Sequence, residues 1–286
     1  MTTPLLILSI TFALLLLLGV PVAFSIGLSA LATLAYEGLP LEVGFQQMTA
    51  GMSVFSFLAI PFFIFAGELM LYGGIADRIV NFARALIGHV RGGLGMSNVV
   101  ACTLFGGVSG SPVADVSAMG AVMIPMMKKE GYHADYAVNV TTHAALVGAL
   151  MPTSHNIIIY ALAASGKVSI AALILAAIIP ALILTLSNLG AAYWVARKRG
   201  YPAGTFPGWS IVARSFAAAL PGLLVVVLIL GGILSGVFTA TESAVVAVLY
   251  ALALTVFVYR TLKWEHFVKA ASKAVRNTGI ILLLIG

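Results

Sequence analysis

An all-α, multi-pass membrane protein is the fold class this sequence predicts, and three observations predict it. Of the 286 residues, 61% are hydrophobic and only 8% charged, a balance that would leave a soluble domain apolar on every side. Long apolar runs recur from one end of the chain to the other. Two of those runs are interrupted near their middles by Ser, Gly and Pro, residues that a plain membrane-crossing helix does not need there.

Taken in order, the first apolar run covers residues 5–35. It lacks a basic leading segment and a small-residue cleavage site, so it reads as retained. Gly19-Val20-Pro21 divides it into crossings at 5–18 and 21–36; the alternative is one long tilted helix. A crossing at 54–72 follows, then an amphipathic stretch carrying Asp77, Arg78, Arg84 and Arg91, which reads as an interfacial arm. Further apolar segments lie at 94–127, 136–164 and 170–195, two crossings fit within 216–259, and a short run begins at Ile280. With the N-terminus outside, every Lys and Arg except Lys167 falls on the cytoplasmic side, as the positive-inside rule requires. The formal charge of +6 is then a topology signal, and nucleic acid is not implied. The lipid bilayer is the expected environment.

The chain also repeats. "GVPVAFSIGLSALATLA" from Gly19 and "GVFTATESAVVAVLYAL" from Gly236 each follow an apolar run and precede an amphipathic connector and a further apolar segment. The scheme puts five crossings between them, so the copies have opposite orientation, an arrangement common in secondary transporters. A spacing of about 217 residues projects a two-copy protein of roughly 430, and the second repeat is expected to be incomplete here. The expected organisation is scaffold helices at 1–73, the arm at 74–93, a transport hairpin and broken helix at 94–165, the last helix of repeat one with a cytoplasmic linker at 166–213, and the start of the second repeat at 214–286.

The segment 94–127 is about 50 Å long as a straight helix, against a hydrocarbon core of about 30 Å. It must fold back. Val108-Ser109-Gly110-Ser111-Pro112 is the place: Gly110 permits positive φ, Ser111 is a good N-cap and Pro112 suits the first helical position. A re-entrant hairpin entering from the cytoplasm results. The second break is "GALMPTSHN", residues 148–156, where Pro152 ends one helix and Ser154 starts another. Together the two breaks place unpaired carbonyls and hydroxyls near mid-membrane, a site for a small hard cation such as Na⁺. Asp115 falls in the first turn of the hairpin's second arm, where an acid complements the helix dipole; direct ligation is the alternative. His143 and His155 read as satisfied interior histidines. Glu68 and Glu242 are costly at depth and lie near predicted span ends. A single cysteine, Cys102, excludes an intrachain disulfide, and scattered histidines give no metal spacing. With no nucleophile facing a base, nothing marks an enzyme, and no cofactor is called for.

"GGVSGSPVADVSAMGAVMIPMMKKEGY", "GALMPTS" and "GVFTATESAVVAVLYAL" resemble the large membrane subunit of tripartite ATP-independent periplasmic (TRAP) transporters, along nearly the whole chain. The resemblance implies an elevator-type fold of the ion transporter superfamily in a bacterial inner membrane, with the N-terminus periplasmic. It implies Na⁺-coupled uptake of an organic acid anion such as a C4-dicarboxylate or sialic acid. The implied partners are a small four-helix membrane subunit and a periplasmic substrate-binding protein. Ser109, Gly110, Ser111, Gly148, Pro152 and Ser154 would frame a Na⁺ site, and Asp115, Thr153 and Asn156 would contact substrate. The family usually shows Pro-Pro-Ser where this chain has Pro152-Thr153-Ser154. A stand-alone Na⁺/anion symporter is the alternative.

Overall fold

A computed structural model describes residues 3–164 and 168–286; Lys167, the one cation expected outside, lies beyond the described residues. The described chain is helical, with no strand beyond an isolated pairing of Arg91 with Ala203. It divides into two compact units, one of residues 1–57 with 276–286, the other of 58–275.

In the first unit, α1 (Thr3–Leu17) and α2 (Val22–Tyr36) are separate helices that pack on each other. Gly19 turns the chain at φ +79°, so the single tilted helix is not formed. An amphipathic α3 (Leu41–Met52) packs on α2.

The second unit opens with α4 (Ala59–Tyr72), buried along most of its length, and α5 (Ile75–Ile87). The arm expected at the membrane interface is strongly amphipathic, but Ile75, Ile79, Val80 and Ala83 are all buried, and the helix packs on α6 (Gly93–Ser109) and on a later helix, 209–234. Its apolar face is covered by protein. The hairpin is α6 followed by α7 (Pro112–Lys129). Next come α8 (Ala134–Ala145), α9 (His155–Ala163), α10 (Ile170–Lys198) and α11 (Trp209–Leu234). The second copy of the repeat continues with α12 (Ala240–Ala253) and α13 (Trp264–Ile285). The connector and the short run from Ile280, read separately in the sequence, are one helix.

Among the described residues, α4 and α12 make the most extensive helix pair. Lipid tails are as apolar as the side chains, so close backbone approach is what favours such pairs. Ala244, Ala247 and Ala251 on α12 and Ala59 and Ala66 on α4 are buried and small enough to allow it. The pairing crosses the repeat: α4 belongs to the first copy and α12 to the second. The last residues of α13, from 276 on, group with α1–α3.

Polar loops gather in one place in this unit. Arg199 holds Asp135 through two bonds, 2.7 and 3.0 Å, Arg84 lies 3.6 Å from Glu130, and the Gly92 N–H donates to the Pro202 carbonyl at 3.0 Å. The α5–α6, α7–α8 and α10–α11 loops, basic in sequence, thus share one end.

Candidate functional site

The hairpin turn forms from local chemistry. α6 ends with Gly110 at φ +62°, its N–H donating to the Gly106 carbonyl at 2.8 Å. Ser111 is extended (φ −131°) and its hydroxyl accepts the Ala114 N–H at 3.4 Å, with Pro112 at the first helical position. The second break differs in detail from the expected clean stop at Pro152. After Ala145 the helix tightens into a 3₁₀ segment, Leu146–Leu150, before the chain extends at Met151 (ψ 155°). Tighter turns change which carbonyls are used at a helix end, and Asn188 of α10 donates to the carbonyl of His143 at 3.2 Å. Ser154 then takes up the Asn156 N–H at 3.3 Å as α9 begins. The helices on either side of the break are bent by 44°.

The two breaks touch. Thr153 donates its hydroxyl to the carbonyls of Gly107 (3.2 Å) and Gly106 (3.4 Å). A Cβ on Gly110 would meet the Ser154 nitrogen at 2.6 Å, and one on Gly106 would meet Gly148 Cα at 2.9 Å. Only glycine permits this approach. Ser109, Gly110, Gly148, Pro152 and Ser154, all buried, are thus brought together, with Ser111 half-buried at the rim.

Asp115 is fully enclosed here. The Ser109 hydroxyl donates to its Oδ1, while its Oδ2 has no partner among the described residues and lies against Gly106 and Gly148, where a Cβ on Gly106 would be 2.9 Å away. A buried carboxylate oxygen without a donor is costly and marks a place for a cation or a proton. Of the three residues expected at substrate, Asp115 and Thr153 (2% exposed) are engaged in this closed junction, and only Asn156 is exposed. Glu242 lies outside the junction: it completes a capping box with Thr239 at the start of α12. His143 is exposed on α8, with Nδ1 2.8 Å from the Asn139 carbonyl, and His155 is half-buried.

Three supporting residues were not singled out from the sequence. Fully buried Asn98 donates to Thr141 Oγ1 at 2.6 Å and pins α6 to α8; a lone amide in an apolar segment was the available signal. Gly67 of α4 backs the tip, since its Cβ would lie 3.2 Å from Ser109 Cα. Gly106 was legible only as half of a Gly-Gly pair. No group of three or more His, Cys, Asp or Glu that could hold a metal occurs among the described residues.

Residues 9–286 match the family described as tripartite ATP-independent periplasmic transporter, DctM component. Over 99% of its length the chain is 40% identical to an uncharacterized protein of Salmonella typhimurium, YgiK, of which it covers 65%. It is 39% identical to the sialic acid TRAP transporter large permease protein SiaM of Vibrio cholerae, with 95% of this chain and 63% of that one aligned. To the C4-dicarboxylate TRAP transporter large permease protein DctM of Rhodobacter capsulatus it is 35% identical, with 95% and 64% aligned. The chain thus spans just under two thirds of the length of these relatives. Helical membrane architecture, two touching breaks and a match along nearly all of its residues lead to one assignment: the chain belongs to the DctM family of TRAP transporter membrane components.

Proposed function

We propose that this chain is the large permease component of a TRAP transporter that couples Na⁺ entry to uptake of an organic acid anion handed over by a periplasmic binding protein, alongside a small membrane subunit. The observation that carries the reading is the junction of the two breaks, with the unpartnered Asp115 oxygen inside it. Na⁺ prefers several hard oxygens. Backbone carbonyls freed at the hairpin tip and at residues 148–154, the Ser109 and Ser111 hydroxyls and the Asp115 carboxylate supply that set within this chain. In this reading Asp115 belongs with the ion and Asn156, open at the start of α9, with the substrate. The relatives named for sialic acid and for C4-dicarboxylates support a carboxylate substrate, and one named for ectoine widens the range.

Uptake by proteoliposomes holding the intact transporter tests this. Asp115→Asn keeps the side chain's shape and removes its charge, so the Na⁺ concentration for half-maximal uptake should rise about ten- to a hundredfold, the worth of one charge-assisted contact. Ser111→Ala should shift it in the same direction. An unchanged Na⁺ curve in folded Asp115→Asn protein would sink the ion-site reading. Uptake that runs without any binding protein would instead mark a stand-alone Na⁺/anion symporter.

A further inference from the structure

α4 packs against both sides of the candidate site, contacting α6 of the hairpin and α9 beyond the second break. Gly67 brings its backbone to the tip, at Ser109. The next residue, Glu68, is 4% exposed and carries the one acid of that helix. Its Oε1 meets Lys273 Nζ of α13 at 2.8 Å, and its Oε2 has no partner among the described residues. Lys273 is 40% exposed at the side chain, so its stem reaches in while the other side stays open. One turn along α4, Tyr72 stacks on His266 of α13, ring centroids 5.5 Å apart and planes 18° from parallel. A carboxylate in so apolar a helix is expensive, and one partner offsets only part of the cost.

We propose that Glu68 is a positioning residue: its ion pair with Lys273 fixes α4 along α13 and so sets how closely the Gly67 backbone backs the hairpin tip. Part of the proposal rests on the Na⁺ reading above, and its test therefore has an arm that does not.

Val113, in the first turn past the tip, is 79% exposed, and the only cysteine, Cys102, is fully buried. In membranes holding the intact transporter with Val113→Cys, the rate of maleimide labelling reports how firmly the tip is held. Glu68→Gln and Lys273→Gln should each raise that rate about threefold to tenfold, the range of coupling carried through packed elements. The double variant should be no worse than the larger single, because both remove one interaction. The Na⁺ concentration for half-maximal uptake should rise in parallel. Additive effects overturn the proposal, as does an unchanged labelling rate in folded protein, even if the variants lower thermal stability. Should parent uptake not depend on Na⁺, the function proposed above fails while the labelling arm still decides this one.

Discussion

Asp135 and Arg199 show how much a single surface contact can determine. The two hydrogen bonds from the Arg199 guanidinium hold the Asp135 carboxyl down to about 2, against about 3.9 for the free side chain. A depressed folded value means the contact's contribution is complete above the unfolded value and is lost as pH falls through the folded one. Both groups are open to water, so its worth to global stability is small. Its local worth is the tie between the start of α8 and the loop after α10. A spin label on Thr205→Cys, in that loop, should keep one mobility from pH 8 down to about 5 and loosen only between about pH 4 and 2. Asp135→Asn should be loose throughout. Constant mobility across the series would show that Gly92 and Pro202 hold the loop alone. The pairing could not be read from the sequence, since the positive-inside pattern puts a charge on one side of the membrane but does not name its partner there.

At the scale of elements, the hairpin was legible because its signals are local. Gly110, Ser111 and Pro112 each act on their own backbone, and the structure uses them in those roles. The 3₁₀ tightening before Met151 was not legible: it goes with a bond from Asn188, about 45 residues away, to the His143 carbonyl. The apposition of the two breaks was equally hidden, as it depends on which glycines meet. Gly106 and Gly107 separate these effects. A Cβ at Gly106 would press on Gly148 backbone, whereas one at Gly107 meets only the Val226 side chain at 3.3 Å. Overpacking against backbone costs about 1–3 kcal/mol, so Gly106→Ala should lower the unfolding temperature in detergent clearly more than Gly107→Ala. Equal losses would mean that the breaks are not held together through this contact.

For the whole molecule, the charge pattern in the sequence anticipated which loops come together. Exposed Trp194, Trp209 and Trp264 fall on the same, cytoplasmic, side in that scheme, suited to an interfacial belt. With cells intact, Lys198→Cys should stay hidden from an impermeant thiol reagent and Ser235→Cys, in the α11–α12 loop, should react; the reverse pattern would invert the topology. The pairing of α4 with α12 was not visible in the sequence, because stripes of alanine say that a helix packs closely but not on which partner. That pairing has a consequence for synthesis. Helix α4 is made about 180 residues before α12, its main neighbour, and at about 5–20 residues per second the ribosome needs roughly 10–35 s to supply it. During that interval Glu68 sits in the membrane or its insertion machinery with its counter-ion, Lys273, not yet translated. The helix that backs the hairpin tip can therefore pack early on α5, α6 and α9, but it waits for its main neighbour until α12 has been made.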